Sequence, residues 1–244
     1  MKKIKIHYQF ATAKGKTKNG LNEIKKRLRY INKNLDKNSV CSLSIPENGP
    51  GSIETEFDEA IATPNVIQGI IDAEKNKFDV AIISCFSDPG LGGAREKVSI
   101  PVIGSGENSL LLASQLGNKI SILSPVNENS DIFKNKIYKL GLEKKYCSTR
   151  TINTSVLSLA RNKESTLNKL VIAGKKAIDD GADILILGCM SMAFHDLTHT
   201  IEKRLKVPVI NPVKASLLMA ESIVKMNLSH SKLAFPTPPK KIIY

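Results

Sequence analysis

Two of the four cysteines in this 244-residue chain stand in matching places: "DVAIISC" ends at Cys85 and "ADILILGC" ends at Cys189. Each apolar run delivers a thiol into a turn of small and polar residues. A thiolate can take a proton from carbon and a thiol can give one back, so two thiols facing each other across a small molecule can invert a stereocentre. Near a helix N-terminus a thiol titrates at about 3.5 to 7.5 instead of about 8.5. One thiolate and one thiol are therefore expected to coexist near neutral pH, with the positive ends of the following helices stabilising an enolate as its charge develops. Such chemistry needs no cofactor, and none is expected.

The elements that must position these thiols read as α/β. Short strand-like runs ("KIKIHY", "SVCSLSI", "DVAIISC", "NKISILS", "ADILILGC") alternate with amphipathic stretches ("GLNEIKKRLRYI", "TPNVIQGIIDAEKN", "DIFKNKIYKLG", "STLNKLVIAGKKAIDDG", "KASLLMAESIVKM"). This alternation predicts parallel sheets with helices on both faces. The pattern also repeats. A shift of 104 sets Asp79, Ile82 and Cys85 on Asp183, Ile186 and Cys189, and a shift of 107 lays "PVIGSGENSLLLASQL" from Pro101 on "PVINPVKASLLMAESI" from Pro208. A thinner match, by a shift of 116, lays "KIKIHY" on "KISILS". The expected fold class is α/β, with two pseudo-symmetric doubly wound parallel-sheet domains of flavodoxin or Rossmann type and an active site in the cleft between them. The expected division is 1–104 plus 214–244 for one domain and 105–213 for the other. Ligands collect at the carboxyl ends of parallel strands, which is where Cys85 and Cys189 sit.

Composition narrows the rest. Hydrophobic residues make up 41% and charged residues 24%, with no apolar run of membrane length and no signal-peptide pattern, so no membrane partner and a cytoplasmic location are expected. The net charge of +13 has its densest cluster at Lys25 to Arg29, "KKRLR", but aromatic residues are only 5% and no stacking motif accompanies it. The cluster is read as a solvated helix face, with no nucleic-acid partner. The cysteines form no CxxC pair, and His7, His199 and His230 show no ligand spacing, so no metal site is expected. "GSGENS" lacks the third glycine of a dinucleotide turn, and its repeat partner "NPVKAS" has none. Cys41 and Cys147, within strand-like runs, are read as core.

"SCFSDPGLGGARE", "NGPGSIETEFDEAIATP", "LGCMSM" and "VPVINPVKASLLMAE" resemble the hydantoin and allantoin racemases of the aspartate/glutamate racemase superfamily, and the resemblance covers nearly the whole chain. It implies a cofactor-independent two-base racemase with its cysteines at Cys85 and Cys189, and a turn from Pro50 and Gly51 to Ser52 and Ile53 that lines the cleft. One departure is the turn after the first strand, "HYQFATAKG", where the family commonly has an asparagine-rich one. Phe86 and Met190 follow the two cysteines where amino-acid racemases resemble one another in placing Asn or Thr. Apolar walls favour a neutral flat ring such as a hydantoin, although Ser84, Ser87 and Ser191 leave an amino-acid carboxylate open.

The expected substrate-binding residues are Gln9, Ser52, Ile53, Ser84, Phe86, Ser124, Gly188 and Met190, around catalytic Cys85 and Cys189. Asp88 is expected to cap the helix after Cys85, and His195 to be structural. The expected partners are a small-molecule substrate and further copies of the chain in a homo-oligomer. The rival readings are an aspartate/glutamate-type racemase, another reaction such as decarboxylation on the same scaffold, and a non-catalytic binding protein, for which a thiol on each wall would have no use.

Overall fold

Each half of the chain folds into four parallel strands. In the computed structural model, which describes residues 3–13, 18–126, 131–159 and 162–239, β1 (Ile4–Phe10), β2 (Ser39–Ser44), β3 (Val80–Ser84) and β4 (Val102–Gly104) form a sheet ordered β2-β1-β3-β4. The second sheet holds β5 (Ile120–Ser124), β6 (Tyr146–Thr151), β7 (Ile184–Leu187) and β8 (Val209–Ile210), ordered β6-β5-β7-β8. The second order repeats the first strand for strand. Every residue of β3 and β7 is buried, as expected of parallel strands covered on both faces. The end of the turn after β1, at Lys14 and Gly15, and the tail from Lys240 to Tyr244 lie outside the described residues.

The connecting helices are α1 (Lys18–Lys33), α2 (Glu56–Lys75), α3 (Leu91–Lys97), α4 (Ser105–Leu116), α5 (Asp131–Lys139), α6 (Lys163–Asp179), α7 (Met190–Ala193), α8 (Thr198–Leu205) and α9 (Pro212–Lys225). The sequence placed the start of α2 near Pro64, but the helix begins earlier and runs through that proline. Thr55 accepts from the Asp58 N–H at 3.2 Å and its own N–H donates back to the Asp58 carboxylate at 3.0 Å, a reciprocal cap strong enough to fix the helix start.

The repeat carries structural roles as well as residue types. The Asp79 carboxylate accepts the Lys5 N–H at 2.7 Å, and Asp183 accepts the Lys119 N–H at 2.9 Å, each pinning the start of its unit's first strand. Ser109 and Ser216, matched by the shift of 107, each donate one turn back, to the carbonyls of Ser105 and Pro212, at 2.6 Å. The Ser216 hydroxyl also reaches that of Ser105 at 3.1 Å, so the paired helices α4 and α9 meet along the line relating the two halves. α9 lies on β1, β3 and β4, and α4 reaches β5 and β7 as well as β3 and β4.

One alignment needs correction. Ile6 pairs with Val80, and Ile120 pairs with Ile184, so β1 matches β5 by a shift of 114 and not 116. Phe10, not Tyr8, is therefore the counterpart of Ser124.

Residues 235–239 of the proline-bearing tail have no regular structure, as the prolines predict. The segment just before them is nonetheless docked. The His230 Nε2 accepts the Val102 N–H at 2.8 Å, satisfying the outer strand β4. Lys232 donates to the carbonyls of Arg95, Glu96 and Val98 at 2.9, 3.0 and 2.6 Å, closing the C-terminus of α3. Among the described residues no helix is long and apolar enough to cross a membrane.

Candidate active site

The carboxyl ends of β1, β3, β5 and β7 open on one cleft with about 960 Å³ of empty space, its open mouth included. Cys85 follows β3 directly, and Cys189 follows β7 after a single glycine. That residue must be Gly188: a Cβ there would lie 2.6 Å from Ile122 Cγ2 and 3.1 Å from the Leu123 carbonyl oxygen. Its absence lets the end of β7 lie against β5 and carries Cys189 to the cleft. Both cysteines are half-buried, both line the cleft, and Cys85 lies near enough to feel the charge of Cys189.

The two thiols have different surroundings. Cys85 shares a 3.3 Å hydrogen bond with the Ser87 hydroxyl. Burial pushes its thiol up to about 12; contact with Ser87 eases this, and the charges of Asp88 and Cys189 oppose ionisation. Cys189 is the N-cap residue of α7. Burial raises its thiol too, countered by the N–H groups of Met192 and Ser191 and by the positive charge of Arg27. The expectation that a helix N-terminus would bring one of the thiols down toward neutral pH therefore does not hold. α3 starts only at Leu91, behind a turn, and α7 is four residues long, so burial outweighs any dipole.

Asp88 is a second correction. It does not cap α3, whose N-cap is Gly90 with φ of 72° and no side-chain bond. Its buried carboxylate turns instead to α4, accepting the Gly106 and Glu107 N–H groups at 2.9 and 2.7 Å, and takes an ion pair from Lys136 of α5 at 2.6 Å. Only glycine fits at 106, because a side chain there would run into the Phe86 carbonyl. The cysteine loop of the first unit is thereby bolted to α4 and α5.

Ser52, Ile53, Ser84, Phe86, Ser124, Gly188 and Met190 all line the cleft, and Gly51 joins them. Pro50 does not, though its carbonyl accepts the Ala13 N–H at 3.1 Å and holds the turn against the end of β1. Ser124 donates to the Val126 carbonyl, which leaves its oxygen free to accept. Phe86 and Met190 are 3% and 4% exposed, so their first task is packing: Phe86 crosses into the cluster of Leu110, Ile122, Phe133 and Ile186. Gln9 does not face the cleft. Its amide donates to the Phe10 carbonyl at 2.9 Å and meets His7 at 3.0 Å, on the side of β1 where Gly69 of α2 leaves room for it. Successive strand residues point to opposite faces, and Phe10, one position on and the counterpart of Ser124, is the lining residue. His195 is half-buried outside the lining, against the Leu159 backbone, while Cys41 is buried in β2 and Cys147 donates to the Asp180 carbonyl at 3.2 Å.

Among the lining residues that the sequence did not single out, Arg27 brings a positive charge to the cleft. It belongs to the "KKRLR" cluster, yet it is 8% exposed and turned inward, with its guanidinium 5.6 Å from the Phe10 ring centre and 4.9 Å from that of Phe194. Its Nη2 pairs with the Glu23 carboxylate and donates to the Ser191 Oγ at 2.9 Å, so α1 of the first unit reaches the Cys189 loop of the second. The signal was the spacing: Gly20, Ile24, Arg27 and Ile31 follow i, i+4, i+7, i+11, a single inward face of α1. Glu54 makes a second link across the mouth, accepting the Val156 N–H at 2.9 Å. Among the described residues no three His, Cys, Asp or Glu side chains gather as a metal centre would require.

A duplicated parallel α/β unit, with one cysteine of each copy at equivalent strand ends of a shared cleft, defines a class of cleft enzyme built from two related halves. A family profile described as Asp/Glu/Hydantoin racemase matches residues 27–220. The chain belongs to this family, and it is an enzyme of the isomerase class. It is 36% identical over 198 residues to a hydantoin racemase of Pseudomonas sp. (strain NS671), covering 80% of this chain and 79% of that one. To a hydantoin racemase of Paenarthrobacter aurescens it is 32% identical over 206 residues, covering 83% and 86%. The solved allantoin racemase from Klebsiella pneumoniae superposes with a TM-score of 0.88 at 27% identity, over 99% of this chain and 96% of that one.

Proposed function

We propose that this chain is a cofactor-independent racemase of hydantoin-type rings, with Cys85 and Cys189 as its paired base and acid and a division into units near residues 104 and 213. The observation that carries the reading is the pair of thiols at repeat-equivalent strand ends of one cleft. In one direction a cysteine thiolate takes the proton from the ring carbon next to the carbonyl. The electron pair moves onto the carbonyl oxygen as an enolate, and the thiol on the opposite wall gives its proton to the other face of the carbon. Proton count and charge balance, and the thiolate has changed walls; the opposite enantiomer runs the same steps in reverse.

The lining supports a neutral ring over an amino acid. Its charged side chains among the described residues are Glu23, Arg27 and Glu54, and the cation is already paired with Glu23. An α-carboxylate entering here would compete with Glu23 for Arg27, whereas a five-membered ring with amide edges asks only for neutral hydrogen bonds, available from Ser52, Ser84 and Ser124. Its carbon acid also ionises without forming a dianion.

The test is optical rotation of single enantiomers of 5-substituted hydantoins, with aspartate and glutamate as controls, for the native enzyme and for Cys85→Ser and Cys189→Ser. The native enzyme should discharge the rotation of a hydantoin and leave the amino acids unchanged, and each variant should lose at least about 100-fold in rate, the lower end of what a placed acid or base contributes. Full inversion by both variants would remove the two cysteines from the mechanism.

A further inference from the structure

Ser87 and Ser191 are matched by the same shift of 104 that matches the cysteines, and each lies two residues past its thiol. What stands behind them differs in sign. Ser191 accepts from the Arg27 guanidinium at 2.9 Å. Ser87, bonded to Cys85 at 3.3 Å, has the Glu59 carboxyl of α2 against it and is followed by Asp88. The geometry points to Arg27 as a positioning residue that makes Cys189 the first of the two thiols to lose its proton, leaving Cys85 as the proton donor of the resting site. This inference rests on the two-thiol reading above.

The charged groups around each sulfur agree. Facing Cys189 are Arg27 and its partner Glu23 from α1 and the Cys85 thiol from the opposite wall. Facing Cys85 are Asp88, with its charge shared with Lys136 of α5, Glu59 from α2, the fully buried Tyr8 phenol from β1, and Cys189. Arg27 is the one cation in direct reach of either loop serine among the described residues, and its Nε is buried without a partner there. The Arg27 charge favours a thiolate at Cys189, which it reaches through the Ser191 hydroxyl and which does not contest the pair with Glu23. Once that thiolate forms, its charge holds the proton on Cys85, since the two sites titrate as a pair. The resting enzyme is then poised for the enantiomer whose hydrogen points at Cys189.

The experiment is carboxamidomethylation of the native enzyme by iodoacetamide across a pH series, with each cysteine followed by peptide mass mapping. Cys189 should react with a midpoint at least about one pH unit below that of Cys85. Arg27→Gln should move the Cys189 midpoint up by about one unit or more while leaving the order of Cys41 and Cys147 unchanged, and Arg27→Lys should restore part of the shift. If Arg27→Gln does not fold, Ser191→Ala, which cuts the link and keeps the cation, should move the midpoint in the same direction by less. A Cys85 midpoint at or below that of Cys189, or a Cys189 midpoint unmoved in the variants that fold, would overturn the assignment. The labelling uses no substrate, so its failure leaves the racemase reading standing, and loss of the racemase reading leaves the labelling result intact.

Discussion

Replacing Asp88 with Asn changes one oxygen for one nitrogen, and the structure says how much that should cost. The buried carboxylate accepts two N–H groups at the start of α4, at 2.9 and 2.7 Å, and the Lys136 ammonium at 2.6 Å. The Asp88 side chain is 1% exposed and that of Lys136 12%. An amide keeps one acceptor oxygen, so one of the two N–H groups loses its partner, worth about 1 kcal/mol as a cap. Its NH₂ group faces a nearly buried ammonium, and stranding one partner of a buried ion pair costs about 3 to 5 kcal/mol. Both losses come from the same carboxylate and do not add fully, so we expect a total of about 3 to 5 kcal/mol. The backbone contributes little, because Asp88 has φ of 55° and Asn tolerates the left-handed region as well as Asp does. Urea unfolding measures this directly, as a lower midpoint with an unchanged slope. Adding Lys136→Met removes the stranded cation and should recover most of the ion-pair part. A loss below about 1 kcal/mol in the single variant, or a double variant no more stable than the single, would refute the assignment of Asp88 as the bolt between the units.

Other outcomes follow from the same contacts. Gly188→Ala places a methyl group 2.6 Å from Ile122 Cγ2, so it should cost about 1 to 3 kcal/mol and lower the melting temperature, with activity falling as the Cys189 loop is pushed off β5. Burial raises both thiols, Cys85 to about 12, so kcat/KM should climb about tenfold per pH unit through the neutral range; a plateau already reached below neutral pH would contradict that. Burial lowers His230 from 6.5 to about 4. The folded state therefore binds fewer protons there than the unfolded chain, and the contribution of His230 is complete above 6.5 and is lost as pH falls toward about 4. Thermal unfolding should show this decline, and His230→Gln should flatten part of it.

The two sheets and the two strand-end thiols are legible in the sequence because the signals behind them are local: apolar runs of strand length, and a repeat in which Asp79 and Asp183 pin the first strand of each half. What is not legible is where a side chain acts outside its own element. Asp88 follows Cys85 in the chain and so was assigned to the next helix, but the turn carries its carboxylate past α3 to the N-terminus of α4. Gln9 stands one residue before Phe10, the true counterpart of Ser124, and successive strand residues point to opposite faces, so it falls on the far side of β1. Nothing within β1 reveals which face looks at the cleft when His7, Gln9, Tyr8 and Phe10 are all buried. Arg27 was hidden by its neighbours: Lys25, Lys26 and Arg29 are basic and solvated, and only helical spacing separates the cation that turns inward.

The most direct test of the two-base claim is racemisation in deuterated water, starting from one hydantoin enantiomer and stopped before equilibrium. Two thiols on opposite faces predict that the newly formed enantiomer carries deuterium at the ring carbon while the unreacted one keeps its hydrogen. Deuterium appearing in the unreacted enantiomer as fast as in the product would mean that one group, or free solvent, handles both faces, and the opposed cysteines would lose their role.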